Sequence, residues 1–283
     1  MDFSYYPGCS LHSTASEFDD SVKAVFTALD VKLHELDDWS CCGASSAHSL
    51  NRALSLALPA RNLAIAQEAG HDVVMPCAAC FNRHKAADHE MRTNEERRAL
   101  IEETVGFQFN ATVGVRPLLD VVCNAIGLER LKARVTRPLT GLKAVSYYGC
   151  LLVRPPEVTQ FENPEYPTLM NQVLTALGAD ARPWSYATEC CGGGLALTRS
   201  DVAGRLVKRL AERAREAGAE AIVTSCPLCQ INLEMRQDGG GQEMPIFYFT
   251  ELTGLAFGLD KARSWWGKHL IDPTGLLQTL NLH

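Results

Sequence analysis

The chain has 283 residues, a net charge of −6, 46% apolar residues and 21% charged residues. Such a composition excludes a disordered or fibrous protein, and the length suits two domains of ordinary size, each able to close a core without staples. The negative charge offers no general attraction to nucleic acid or anionic lipid, and nucleic acid is not expected as a partner.

The N-terminus carries no basic segment followed by an apolar run, so no export signal is read and a cytoplasmic location is expected. No stretch approaches the roughly 18 apolar residues of a membrane span. The nearest, residues 245–266, is broken by Glu251, Asp260, Lys261 and Arg263.

In chain order, residues 2–6 form a short strand candidate, and Phe18, Val22, Val25, Phe26 and Leu29 carry helical spacing. Residues 31–36 alternate as a strand, 54–69 bear a helical apolar stripe, and 71–75 make a third strand. Residues 93–126 read as helical, with a strand around 107–113. The turn-rich stretch 137–141 then divides the chain into units 1–138 and 139–283.

The second unit repeats the order. It has a strand at 143–147, a helix at 168–177, a strand at 181–186, a helix at 201–217 and a strand at 221–224, and the tail from Met244 is expected to pack on this unit. Each unit therefore reads βαβαβ plus a helix. The fold class is α/β, two tandem related domains, each a small parallel sheet with right-handed crossovers.

Ten of the eleven cysteines fall on this repeat. One copy comprises Cys9, the pair Cys41-Cys42, and Cys77 and Cys80 in a CxxC; the other comprises Cys150, Cys190-Cys191, and Cys226 and Cys229. The spacers before the pair are 31 and 39 residues, and the spacer after it is 34 in both copies. Tyr5-Tyr6-Pro7-Gly8-Cys9 resembles Tyr147-Tyr148-Gly149-Cys150 with one residue inserted, and Glu68-Ala69-Gly70 returns as Glu216-Ala217-Gly218. This is internal duplication.

Each cysteine group follows a strand, which gathers five thiols at the carboxyl edge of each sheet, where α/β folds place ligands. The loops precede helix N-termini, whose N–H groups favour thiolate over thiol. Gly43 and Gly192-Gly193-Gly194 let the backbone approach a bulky anionic group, or serve as tight turns alone. In a reducing compartment an odd, large cysteine count points to metal or redox chemistry, and adjacent pairs make poor disulfides.

A CxxC with two further cysteines suits zinc in an all-thiolate site, and a cubane [4Fe–4S] cluster also uses four; both leave a fifth thiol idle. An open cluster can use the extra thiolate as a bridge. Zinc in one site remains the alternative.

One cysteine, a Cys-Cys-Gly and a CxxC, all occurring twice, resemble the B-type subunit of heterodisulfide reductases, and the likeness runs through Cys226–Leu233 and the tail 248–259. The resemblance implies two noncubane [4Fe–4S] clusters, one on Cys9, Cys41, Cys42, Cys77 and Cys80, the other on Cys150, Cys190, Cys191, Cys226 and Cys229. It implies an iron–sulfur oxidoreductase reducing a disulfide, or oxidising thiols or bound sulfur in reverse. The implied partners are a small ferredoxin-like protein and a flavin-bearing protein of the same complex. No separate catalytic side chain is expected, and no G-x-G-x-x-G follows a strand. The alternatives are an electron-transfer component of a lactate or glycolate oxidase or of a succinate or thiol:fumarate reductase, and a zinc-stabilised scaffold.

His12, His48 and His84 lie near the cysteine loops as candidate proton donors, with surface or loop roles the stronger reading. Arg83, Lys85 and Arg154 follow cysteines and would suit an anionic substrate, although solvated charge is the stronger reading. Trp265-Trp266, near Lys268, suggest a membrane or partner contact or, more strongly, packing beneath the C-terminal segment. Cys123 is expected to be a small buried hydrophobe.

Overall fold

The computed structural model describes residues 1–44, 47–237, 240, 241 and 243–282, with the His48 side chain outside that description. Two four-stranded, all-parallel sheets form the frame. The first has the order β2-β1-β3-β4, with β1 Asp2–Tyr5, β2 Lys32–Glu35, β3 Val73–Met75 and β4 Val115–Pro117. The second repeats it as β6-β5-β7-β8, with β5 Lys143–Tyr147, β6 Asp180–Ala181, β7 Ala221–Thr224 and β8 Ile246–Tyr248.

The inner strands β3 and β7 are wholly buried, as continuous apolar runs covered on both faces must be. Helices Ser16–Ala28 (α1), Arg52–Ala69 (α2) and Ala78–Thr93 (α3) belong to the first half. Ser200–Glu216 (α4), Pro227–Arg236 (α5) and Phe249–Ala256 (α6) belong to the second. Helix α4 buries Ala203, Val207, Leu210, Ala211 and Ala214, one helical stripe, and leaves its charged residues outside. Helix α2 starts at Asn51, whose side chain accepts from Leu54 N, and stops at Gly70 in the left-handed region.

Three sequence expectations change. The strand expected at 107–113 lies instead at β4, because the backbone of that segment bonds to side chains: Phe109 N to Glu102, Asn110 N to Gln67 and Thr112 N to Asn110. Asp72 then takes Gly114 N at 2.7 Å and pins β4 beside β3. The strand expected at 181–186 stops at Ala181: Arg182 N still takes Ala144 O, but the next acceptor along β5, Ser146 O, takes the Trp184 indole N–H at 2.8 Å. The tail serves both halves: β8 completes the second sheet, while α6 packs on α1 of the first.

One hydrophobic core runs through both halves, and a smaller cluster lies on the second sheet. At the junction Phe18 stacks on Tyr248 with centroids 4.0 Å apart, and Ser21 and Thr250 hydroxyls meet at 2.6 Å. Trp265 and Trp266 are buried in this core, so they form packing and present no exposed surface. Cys123 is buried too, its thiol 3.7 Å from Leu169 O.

Beneath the tail, the His269 side chain is fully buried between Glu251 Oε1 at 2.9 Å and Glu234 Oε1 at 3.1 Å. Burial disfavours the charged ring, but Glu251 and Glu234 outweigh it and raise its pKa from 6.5 to about 10. A raised imidazole stabilises the fold fully below the unfolded value, and that contribution is lost as pH climbs through the folded one. Unfolding midpoints in urea are expected to fall between pH 6.5 and about 10. His269→Gln should flatten that slope and cost about 3–5 kcal/mol by stranding two buried carboxylates. An unchanged slope in the variant would remove His269 as the cause.

Candidate metal centre

Because all strands of a sheet run the same way, their carboxyl ends share one edge, and each cysteine group leaves from it. Cys9 follows β1, Cys41-Cys42 follow β2, and Cys77 follows β3 and caps α3. Cys150 follows β5, Cys190-Cys191 follow β6, and Cys226 follows β7 and caps α5. Sequence separations of tens of residues become thiol contacts.

In the first half Cys42 Sγ lies 3.4 Å from Cys80 Sγ, and Gly43 N donates to Cys41 Sγ at 3.4 Å. Cys41 and Cys42, and likewise Cys80 and Cys77, lie close enough to shift each other's protonation. Cys9, exposed on the turn Gly8–Leu11, lies within electrostatic reach of Cys41. In the second half Cys191 Sγ lies 3.8 Å from Cys229 Sγ, Gly192 N donates to Cys190 Sγ at 3.3 Å, and Cys150 and Cys226 lie close enough to shift Cys190 and Cys229 respectively.

The halves approach each other within this array at Cys77 and Cys226, both buried and within electrostatic reach of one another. Two thiol pairs in contact, Cys42–Cys80 and Cys191–Cys229, therefore flank the buried Cys77 and Cys226. The rims are wetter, with Cys9, Cys41 and Cys190 exposed and Cys150 half-buried.

Crowded thiols share protons unequally. Hydrogen bonds from Cys41 and Cys80 hold Cys42 well below the usual thiol range, and the same bond pushes Cys41 up. Cys150 and the Gly192 N–H bring Cys190 down to about 6. Cys229 and Cys77 likewise depress Cys226, while Cys77 rises. In each half the crowding thus favours thiolate on some cysteines at the expense of their neighbours.

Among the described residues no three or more His, Cys, Asp or Glu side chains converge as a site for one ion. The sulfurs make pairs, whereas a zinc site draws four ligands to one point at about 2.3 Å. Sulfur donors in such number, spread over separate pairs, fit a polynuclear iron–sulfur centre in donor chemistry.

Two glycines keep the centre open. A Cβ on Gly8 (φ +75°) would lie 3.0 Å from Cys80 Sγ, and one on Gly149 (φ +67°) 3.1 Å from Cys229 Sγ. Both directly precede a cysteine, so Tyr6 corresponds to Tyr147, and no inserted residue is needed. Both tyrosines donate to the carbonyl just before the paired cysteines, Tyr6 to Ser40 O at 2.8 Å and Tyr147 to Glu189 O at 2.7 Å.

The remaining candidates disperse. His12 is exposed and pairs with Glu35 at 2.9 Å. His84 is buried with both ring nitrogens engaged, by Cys80 O and Asn62, which removes it as a proton donor. His48 falls outside the described side chains. Arg154 forks onto Glu165 and Thr188 O, and Lys85 reaches Gln160. Arg83 buries its Nε without a partner. Sequence reasoning passed over Asn82, which bonds Leu151 O and Arg154 O and so ties α3 to the Cys150 loop of the other half. It also missed Asn232, which donates to Cys191 O at 2.8 Å. Asparagine beside a CxxC carries no signal until the backbone it reaches is known.

Duplicated parallel sheets with thiol-lined carboxyl edges define a class of cysteine-rich redox scaffold. The chain belongs to the CCG cysteine-rich domain family, which matches residues 3–83 and again 144–234. It is 31% identical to the 8-methylmenaquinol:fumarate reductase membrane anchor subunit of Wolinella succinogenes over 97% of this chain and 99% of that one. It is 29% identical to a protein of Archaeoglobus profundus named as like the B-type subunit of heterodisulfide reductase, over 92% of each. With the B-type subunit of the ferredoxin/F(420)H(2)-dependent CoB-CoM heterodisulfide reductase of Methanosarcina acetivorans it shares 27% identity over 90% of this chain and 89% of that one.

A crystal structure of a hypothetical protein from Helicobacter pylori shares the fold at TM-score 0.71 and 11% identity, covering 93% of this chain and half of that one. Among the described residues no helix is long and apolar enough to cross a membrane.

Gly149→Ala is expected to cost about 1–2 kcal/mol for its left-handed backbone and more for the encounter with Cys229. Gly106→Ala, at φ +81° with nothing within 4 Å, should pay the backbone cost alone. Thermal unfolding of the two variants measures the difference, and equal losses would deny a close approach at Gly149.

Proposed function

We propose that this chain is the B-type component of a heterodisulfide reductase-type complex. In this reading its two units, 1–138 and 139–283, each hold a noncubane [4Fe–4S] cluster. The first uses Cys9, Cys41, Cys42, Cys77 and Cys80, and the second Cys150, Cys190, Cys191, Cys226 and Cys229. The supporting observation is the approach of buried Cys77 to buried Cys226, which brings a cysteine of each copy together. The full-length likeness to proteins named for the B-type subunit of heterodisulfide reductase points the same way.

Cleaving a disulfide to two thiols consumes two electrons and two protons, and the reverse reaction releases them. When bound, the clusters supply one-electron transfer and iron sites with affinity for sulfur. The protein's own part is to hold ten sulfurs in place, to line the Cys77–Cys226 junction with buried residues that exclude water, and to leave the Cys9, Cys41 and Cys190 rims open to solvent. Electrons would come from, or pass to, a ferredoxin-like partner and a flavin-bearing partner, in the cytoplasm.

A second reading is electron transfer within a fumarate or succinate reductase, favoured by the 31% identity to the Wolinella succinogenes protein. The scaffold would be the same, with electrons relayed and sulfur left unbonded.

Anaerobically purified protein is expected to hold about eight iron and about eight labile sulfide per chain. Cys42→Ser and Cys191→Ser should each lose about half of both and abolish disulfide turnover. Zinc in a colourless protein would refute the iron–sulfur assignment. EPR spectra that change on adding thiols support disulfide chemistry, and spectra indifferent to every thiol tried would leave the relay reading in its place.

A further inference from the structure

The first thiol array has a polar brace that the second lacks. His84, fully buried, sits one turn beyond Cys80, with Nδ1 2.7 Å from the Cys80 carbonyl. A carbonyl only accepts, so Nδ1 carries the proton and Nε2 accepts from Asn62 Nδ2 at 3.1 Å. The same Asn62 amide donates to Ser40 O at 2.9 Å, while its Oδ1 takes Ser40 N at 2.8 Å. Tyr6 donates to that Ser40 carbonyl, and its ring lies 4.6 Å from the imidazole.

Ser40 directly precedes Cys41-Cys42. Imidazole and amide together therefore tie the paired-cysteine turn to the CxxC helix. The ring stays neutral, because a second ring N–H would point at the Asn62 donors.

Equal 34-residue spacers fix the correspondence between the copies. Counted from the cysteines, the place of Asn62 is taken by Ala211 and that of His84 by Leu233, both buried. The second half keeps the Tyr147 bond and gains the Asn232 bond to Cys191 O, but has no imidazole–amide pair.

We propose that Asn62 and His84 are positioning residues that make the two centres electronically unequal, giving the first the higher reduction potential. The proposal rests on the reading that both arrays hold iron–sulfur clusters. A reduced cluster carries more negative charge. Donors that satisfy carbonyls beside its ligands, and fixed dipoles around them, favour that state more than apolar packing does. Without His84 the Cys80 carbonyl loses its side-chain donor, and its negative end acts on the adjacent sulfur unopposed. A two-electron substrate would then meet one readily reduced and one strongly reducing centre.

The test is an EPR-monitored redox titration of the whole chain, purified anaerobically, in wild type, His84→Leu, His84→Gln and Asn62→Ala. Wild type should show two midpoints. His84→Leu, which copies the second half, should lower the higher midpoint toward the other and leave the lower one fixed. Asn62→Ala should move it the same way by less, and His84→Gln, which restores an N–H donor, should recover most of it. If His84→Leu fails to fold, the other two variants decide.

Unmoved midpoints in the folded variants, or equal shifts in both centres, overturn the proposal. An iron assay precedes the titration: protein without iron overturns the cluster reading itself, an outcome distinct from clusters whose potentials ignore His84.

Discussion

The buried approach of Cys77 to Cys226 is the constraint on which the rest of the molecule turns. Parallel strands bring a group of cysteines to the edge of each sheet, and at Cys77 and Cys226 the two edges come together. Like charges do not gather in a buried place without compensation. The compensation here is shared protons between neighbouring sulfurs and glycine N–H groups at Cys41 and Cys190. A bound metal replaces the protons with positive charge and relieves the crowding.

Holding two sheet edges in register takes structure well away from the sulfurs. The Phe18–Tyr248 stack, the Ser21–Thr250 bond and the His269 ion pairs lie at or beneath the junction, and Asn82 spans it next to the sulfurs. The chain's last strand and helix belong to the second half by sequence but also cover α1 of the first. Duplication thus produced a pair of units that share one core, with less freedom of relative motion than two beads on a linker would have.

The same scaffold appears in relatives whose names assign them to different complexes, one reducing fumarate and others reducing a heterodisulfide. Fold alone does not choose between such roles. The choice lies in what surrounds the sulfurs, and there the halves differ. Where the first has Asn62 and His84 the second has Ala211 and Leu233, and it carries its own amide contact from Asn232 to Cys191 O. Symmetry supplies the two sites, and its local failure supplies a means of telling them apart.

By itself the sequence determined the cysteine quintets, their duplication, the α/β class and the carboxyl-edge location, because each follows from spacing and from the common direction of parallel strands. It also placed α2 and α4 nearly to the residue, since their apolar stripes and the glycine ending α2 are local signals. Only the tertiary structure decided that β4 lies past residue 113, that the Trp184 indole takes the acceptor that would prolong β6, and that the tail supplies β8. Each of these depends on where an N–H finds its acceptor across space. The meeting of Cys77 with Cys226, and the brace from His84 through Asn62 to Ser40, were equally beyond reach. Contacts between residues tens or hundreds of positions apart are fixed by the packing of whole elements, and no window of sequence contains both partners.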